Sequence, residues 1–96
     1  MKYNISDRVY LGLRQLAQKH RIKKIILFGS RARGDFYERS DIDLAVSGGN
    51  TAEFSLDVDE SIHTLLMFDV VDLDGPISEE LQKEINRDGV VIYEKN

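Results

Sequence analysis

Residues Leu27 to Val46 read LFGSRARGDFYERSDIDLAV, an apolar start and an apolar end joined by a polar segment. The start belongs to KKIILFG, which is rich in β-branched residues and too short for a helix. Residues 23–28 are therefore predicted to form a buried strand. The apolar end, IDLAV, predicts a second strand that stops at SGGN. We expect the polar residues between the two strands to lie together at one end of a sheet.

The Gly29-Ser30 pair has the character of an anion site. Gly29 ends the first strand, and Ser30 opens a predicted helical turn whose first backbone N–H groups have no intrahelical partner. These donors, the helix dipole and the serine hydroxyl all favour phosphate oxygens, and a glycine lets a polyphosphate approach the backbone. Taken alone, the pair is also compatible with an ordinary strand-to-helix turn.

Asp41 and Asp43 strengthen the interpretation as a site. Residues i and i+2 of a strand project from the same face, so the two carboxylates are expected side by side, with Ile42, Leu44 and Val46 facing the core. Two like charges at this distance repel each other, and a divalent cation would neutralise them. A solvated strand start is the alternative for an isolated Asp-Ile-Asp. The chain has no cysteine, so we expect a hard cation with oxygen or histidine ligands.

Periodicity predicts the remaining elements. Helical spacing appears in three stripes: Ile5, Val9, Leu13, Leu16 and Ala17, then Phe54, Val58, Ile62, Leu65 and Leu66, then Ile77, Leu81 and Ile85. The first helix is predicted to be capped near Asn4 or Ser6, and the last to start at Pro76 and Ser78 and to stop at Gly89. FDVVDL and VVIYE predict two further strands. The order is α, β, short α, β, α, β, α, β, which indicates an α/β (α+β) fold with a mixed sheet of about four strands packed with helices.

Composition sets limits on function. The 96 residues, 42% of them hydrophobic and 31% charged, predict a single domain over residues 1–96. The net charge of −4 argues against broad binding to nucleic acid phosphates. No apolar run is long enough to span a bilayer, so we expect no membrane partner and, by default, a cytoplasmic protein.

The segment GSRARGDFYERSDID resembles the signature of the DNA polymerase beta-like nucleotidyltransferase superfamily, in which Gly-Ser, ten residues and Asp-x-Asp follow one another. The small size and FDVVDLD resemble the minimal nucleotidyltransferases found beside HEPN-domain proteins in prokaryotic toxin–antitoxin pairs. This resemblance implies the polymerase beta-like palm fold. It also implies that Asp41 and Asp43 bind two Mg²⁺ ions, or Mn²⁺, while Gly29 and Ser30 hold the phosphates of ATP.

The resemblance implies a third carboxylate on a neighbouring strand. Asp69 and Asp72 are the candidates, and they lie on opposite faces because they are three residues apart. We favour Asp69, between Phe68 and Val70, as a catalytic and metal-binding residue, because a charge there is costly without a purpose. Turn hydrogen bonding is a sufficient explanation for Asp72.

Further nucleotide-binding candidates are Arg33 and Ser40, which belong to the same motif. For Arg31 and Arg33 the alternative to a phosphate contact is an ion pair with Asp35, Glu38 or a carboxylate of the site. His20 and His63 fall in predicted helices without a partner at ligand spacing, and we interpret both as structural.

The functional hypothesis that follows from the resemblance is protein AMPylation: AMP from ATP is transferred to a tyrosine hydroxyl of a HEPN toxin, which silences it. One alternative is a non-catalytic antitoxin that neutralises a HEPN partner by binding. Another is a transferase for a small molecule such as an antibiotic, which would need a second domain or a homodimer groove. Both homodimeric and hetero-oligomeric states are compatible with the sequence, and a chain that stops after the catalytic core favours completion of the site by a partner.

Overall fold

A computed structural model describes residues 3–95. Eight elements follow one another: α1 (Asp7–Lys19), β1 (Lys24–Phe28), α2 (Ser30–Arg33), β2 (Ile42–Ser47), α3 (Thr51–Ser61), β3 (Phe68–Asp72), α4 (Glu79–Asp88) and β4 (Val90–Glu94). The order of helices and strands is the one that periodicity predicts.

The helices begin where the sequence offers a capping side chain. The Ser6 hydroxyl accepts a hydrogen bond from the Val9 amide at the start of α1, and the Ser78 hydroxyl accepts one from the Leu81 amide at the start of α4. Each cap satisfies an amide that has no intrahelical partner. The predicted caps Ser6 and Ser78 are confirmed, whereas Pro76 and Ile77 lie before α4.

The four strands form one mixed sheet in the order β3-β2-β1-β4. β1 pairs antiparallel with both β2 and β4, whereas β2 and β3 are parallel. The parallel pair is joined through α3, as a crossover between parallel strands requires. This sheet with its helices confirms the predicted α+β architecture.

Different helices pack on the two faces of the sheet. Ile42, Leu44 and Val46 are fully buried in the large core formed with α1 and α3. On the opposite face Phe28, Ala45 and Ile85 form a smaller cluster beneath α4. Asp43 alternates with Ile42 and Leu44 and therefore belongs to the α4 face.

One predicted boundary is wrong. The stripe that begins at Phe54 was expected to continue through Leu65 and Leu66, but α3 ends at Ser61, and Leu65 is 87% exposed. His63 therefore lies beyond the helix. The chain leaves the helix here because it must turn to enter β3, a tertiary requirement that overrides the local pattern. No helix within residues 3–95 combines the length and apolar character needed to cross a membrane.

Candidate active site

Three aspartates lie where β2 and β3 begin, and we call this group the acidic corner: Asp41, Asp43 and Asp69. Asp43 and Asp69 are register partners in the parallel β2–β3 pair. Register partners project from the same face of a sheet, so the pairing places the two carboxylates as neighbours. Asp43 is half-buried, whereas Asp41 and Asp69 are exposed.

The acidic corner concentrates negative charge. Burial is the main cause that raises the pKa of Asp43 from its ordinary value of 3.8 to about 6, with further contributions from the charges of Asp69, Asp41 and Glu84. The charge of Arg33 acts in the opposite direction. A cation at this corner would therefore remove an unfavourable interaction that the protein alone does not relieve.

Gly29 brings the Gly-Ser turn into contact with the acidic corner. Its φ is +73°, a backbone conformation that favours glycine, and a Cβ atom there would overlap the Oδ2 atom of Asp43. The glycine was expected to leave room for a polyphosphate. The structure adds a second reason, because the space of the missing side chain borders the Asp43 carboxylate.

The α2 turn after Gly29 is short and tightly closed. The Arg33 amide donates to the Gly29 carbonyl oxygen, and the Gly34 amide donates to the Ser30 carbonyl oxygen at 2.8 Å. Gly34 ends the turn with a φ of +97°. Within residues 3–95 the Ser30 hydroxyl has no hydrogen-bond partner, so it is available to a ligand.

Arg33 extends from α2 to the end of α4. Its Nε atom lies 3.3 Å from Asp35, and its Nη1 atom lies 3.4 Å from Asp88 and 3.8 Å from Glu84. The ion pair with Asp35 is one of the alternatives that the sequence left open. Arg33 nevertheless stays close enough to the acidic corner for its charge to act on Asp43.

Arg31 has a different environment, which the sequence did not reveal. The side chain is buried, and it donates to the backbone carbonyl oxygens of Asn4, Glu38 and Ser40 at 2.9–3.0 Å. Its guanidinium also lies over the Phe36 ring. Neither a phosphate contact nor an ion pair with Asp35 or Glu38 describes this residue. Arg31 instead fastens the loop over residues 34–41 to the N-terminal segment.

The structure distinguishes Asp69 from Asp72. Asp69 shares the face of Asp43, whereas Asp72 is the register partner of Val46 and accepts a hydrogen bond from the Asp74 amide at 2.9 Å. The expected strand phase and the turn role of Asp72 are therefore observed. The physical reason that we gave for Asp69 was wrong, because its side chain is exposed and no burial has to be compensated.

Ser40 has a local partner. Its hydroxyl accepts a hydrogen bond from the Tyr37 amide at 2.8 Å, which closes the turn that leads into β2. The contact explains a serine immediately before Asp41 without a nucleotide. A nucleotide-binding role for Ser40 stays a prediction.

The residues of the acidic corner could supply some, but not all, of the ligands that a hard cation needs. Within the described residues, no three Asp, Glu or His side chains are gathered closely enough to enclose an ion. Mg²⁺ is, however, usually bound by one or two carboxylates, with substrate phosphates and water completing its shell. Carboxylate oxygens from Asp43 and Asp69, beside a turn whose amides could bind phosphate, suit a Mg²⁺ site that a nucleotide completes.

Comparisons with known proteins identify the family to which the chain belongs. A family model described as "Polymerase beta, Nucleotidyltransferase" matches residues 12–96. Over 67 residues the chain is 49% identical to "Putative protein adenylyltransferase MJ0604" of Methanocaldococcus jannaschii. That match covers 69% of this chain and 65% of the relative, so somewhat less than two thirds of the relative's length is represented.

Solved structures show the same fold. A chain described as a toxin–antitoxin with AMP-PNP aligns with a TM-score of 0.70 at 22% identity, over 95% of this chain and 76% of its own. A mutant toxin–antitoxin MntA-HpeT aligns with a TM-score of 0.69 at 21% identity, over 91% and 74%. A protein from Shewanella oneidensis aligns with a TM-score of 0.67 at 16% identity, over 95% and 74%.

Proposed function

Because the chain belongs to the polymerase beta nucleotidyltransferase family, we propose that it transfers AMP from ATP to a hydroxyl of a partner protein, with Mg²⁺ bound at the acidic corner. The resemblance to a relative named as a protein adenylyltransferase supports the class of acceptor. The observation that carries the proposal is the contact between Gly29 and Asp43. It joins the turn suited to phosphate with the carboxylates suited to a cation.

The nucleotide is held at the α2 turn. The Ser30 hydroxyl, which has no hydrogen-bond partner within residues 3–95, and the first amides of α2 donate to the β- and γ-phosphates. Arg33, one turn further along, adds a positive charge. Asp41, Asp43 and Asp69 would hold the metal together with phosphate oxygens of the nucleotide and water, and Mn²⁺ would be a substitute for Mg²⁺. When bound, two divalent ions neutralise charge on the phosphates and stabilise both the attacking and the departing oxygen.

The transfer is a displacement at the α-phosphorus of ATP. The acceptor hydroxyl oxygen forms a bond to this phosphorus while the bond to the bridging oxygen of the β-phosphate breaks, and pyrophosphate departs with the electron pair. A carboxylate oxygen of Asp69, exposed beside Asp43, takes the proton of the hydroxyl. The chain's contribution is to position the reactants and to balance charge.

The acceptor is a tyrosine of a HEPN-domain toxin. Support comes from the resemblance of GSRARGDFYERSDID and FDVVDLD to minimal nucleotidyltransferases of such pairs. The open acidic corner is compatible with this role, because Asp41 and Asp69 are exposed and leave access for a large acceptor. Binding energy that orients the hydroxyl comes from the partner's own surface.

The test uses ATP labelled at the α-phosphate, Mg²⁺ and a HEPN protein encoded beside this one. The expected result is a labelled tyrosine on the partner, slower labelling with Ser30→Ala, and none with the Asp41→Asn, Asp43→Asn double mutant. If the double mutant and the wild type inhibit the partner equally without any label, the protein neutralises by binding and the catalytic proposal fails.

A further inference from the structure

We propose that Asp88, at the last position of α4, is a positioning residue that aims Arg33 at the nucleotide phosphates. The inference rests on the proposed function, because it assumes that a triphosphate occupies the α2 turn. It concerns a residue outside the Gly-Ser and Asp-x-Asp motif, in an element that contributes nothing else to the proposed site except Glu84.

The contacts of the Arg33 guanidinium are divided among its nitrogens. Asp35 lies against Nε at 3.3 Å, and Asp88 lies against Nη1 at 3.4 Å. Within residues 3–95 the Arg33 Nη2 atom donates no hydrogen bond, whereas Nε and Nη1 each donate one. Since the guanidinium is a rigid planar fork, fixing two of its nitrogens determines the direction of the third. The side chain is thus held with one donor open.

Asp88 is itself well fixed. Its side chain is only 12% exposed, and both of its carboxylate oxygens accept hydrogen bonds from Arg87 at 2.9–3.2 Å. The last turn of α4 is anchored by the buried Ile85, whose carbonyl oxygen accepts from the Gly89 amide. A residue that orients another must have its own rotamer locked by neighbours, and Asp88 meets that condition.

The position of Asp88 is unfavourable for helix stability. A negative charge in the last turn of a helix opposes the helix dipole, and cations are preferred there. Pairing with Arg33 and Arg87 offsets this repulsion. Of these two arginines, only Arg33 lies in the motif segment, and its charge already acts on Asp43. The geometry therefore links the end of α4 to the phosphate turn through one ion pair.

The variant Asp88→Asn distinguishes a positioning role from a purely electrostatic one, because the two roles predict opposite changes in nucleotide affinity. Removing a negative charge near a triphosphate site would by itself strengthen anion binding. Loss of the contact that orients Arg33 would weaken anion binding. Residues that support a ligand-binding residue without touching the ligand typically change affinity by about tenfold or more. We expect Asp88→Asn to weaken binding of AMP-PNP with Mg²⁺ by about tenfold, with kcat of partner labelling nearly unchanged while KM for ATP rises.

Three controls sharpen the measurement. Arg87→Ala removes the hydrogen bonds that help to fix Asp88 but keeps the Asp88–Arg33 pair, so it should weaken nucleotide binding less than Asp88→Asn does. Asp88→Glu restores the charge and should recover most of the affinity. In an Arg33→Ala background, Asp88→Asn should have no further weakening effect, because the residue acts through Arg33. In the protein without nucleotide, Asp88→Asn should also speed the hydrogen exchange of the Arg33 Nη1 protons, measured by NMR.

The outcomes distinguish this inference from the proposed function. If the wild type binds AMP-PNP but Asp88→Asn binds it equally or more tightly, the positioning role is wrong and the proposed function is untouched. The positioning role is also wrong if Asp88→Asn weakens binding as strongly without Arg33 as with it. If the wild type binds no nucleoside triphosphate with Mg²⁺, both proposals fail.

Discussion

Asp43 and Asp57 are the same residue type in opposite electrostatic surroundings. Asp57, on α3, lies 2.8 Å from both Lys19 Nζ and His20 Nε2 and accepts a further hydrogen bond from Ser61. These donors hold the pKa of Asp57 well below its ordinary range, with the Lys19 hydrogen bond as the largest cause. Asp43 instead is half-buried among like charges, and its pKa is raised to about 6.

The difference shows which carboxylate serves the fold and which serves a ligand. Asp57 joins the end of α1 to α3, and nothing further is needed to satisfy it. Asp43 is less stable ionised than it would be in water, so the folded chain alone gives no reason for an aspartate there. Removal of the Asp57 carboxylate should lower the stability of the fold, whereas removal of the Asp43 carboxylate should lower only the transfer activity.

The largest expected effect is the loss of activity in Asp43→Asn. We expect AMP transfer to fall by more than about a hundredfold, because even residues that only support metal ligands change affinity by 10–100-fold. At pH 7 the melting temperature of the nucleotide-free variant should rise, because a destabilising charge is removed. Transfer assays and thermal melts of the same preparation measure both effects. A variant that is both inactive and less stable would mean that Asp43 serves the fold, as Asp57 does.

The next prediction compares the two aspartates of β3. Asp69→Asn should reduce transfer by at least about tenfold while the melting temperature stays near that of the wild type, since the side chain is exposed beside Asp43. Asp72→Asn should keep transfer activity, because the residue lies on the other face. Initial rates of partner labelling decide between them. A loss in Asp72→Asn with a normal Asp69→Asn would contradict the assignment of Asp69 as the third carboxylate.

A third prediction concerns Arg31, the buried charge that serves the fold. Arg31→Ala leaves the carbonyl oxygens of Asn4, Glu38 and Ser40 without their donor, so the free energy of unfolding should fall by about 3 kcal/mol. Urea unfolding measures this change. Arg39→Ala is the matched control, since within residues 3–95 this exposed side chain has no ion pair or hydrogen bond. Equal stabilities of the two variants would rule out the fastening role.

The smallest expected effects are those of pH on stability, and they have opposite signs. The folded pKa of Asp43 is above its ordinary value, so its contribution to stability is fully present below about pH 4 and is lost as the pH rises through 6. For Asp57 the folded pKa is lowered, so its contribution is present above about pH 4 and is lost on further acidification.

Thermal melts of the wild type, Asp43→Asn and Asp57→Asn between pH 3 and 7 test this. Asp43→Asn should match the wild type at low pH and exceed it by a few degrees at pH 7. Asp57→Asn should be below the wild type at pH 7 and approach it at the acid end. Parallel curves for all three proteins would show that neither carboxylate has a shifted pKa.

Local patterns predicted most of the fold because they depend on near neighbours in the chain. Caps at Ser6 and Ser78, and alternation along Ile42 to Val46, act over two to four residues. The end of α3 was missed because apolar residues continue beyond Ser61, and the turn toward β3 is a tertiary requirement. The Gly-Ser and Asp-x-Asp pattern identified Gly29, Ser30, Asp41 and Asp43 as candidates, and the structure places them at one end of the sheet.

The sequence by itself determined the elements, their order and the candidate residues, because each depends on spacing along the chain. Only the tertiary structure decided that Asp43 and Asp69 are register partners, since strand pairing joins residues far apart in sequence. It also decided that Arg31 and Arg33 have different partners. Arg31 donates to backbone oxygens up to 27 residues away in sequence, and Arg33 donates to Asp88, 55 residues away. Such contacts depend on tertiary packing, which cannot be predicted from the pattern of neighbouring residues in the sequence.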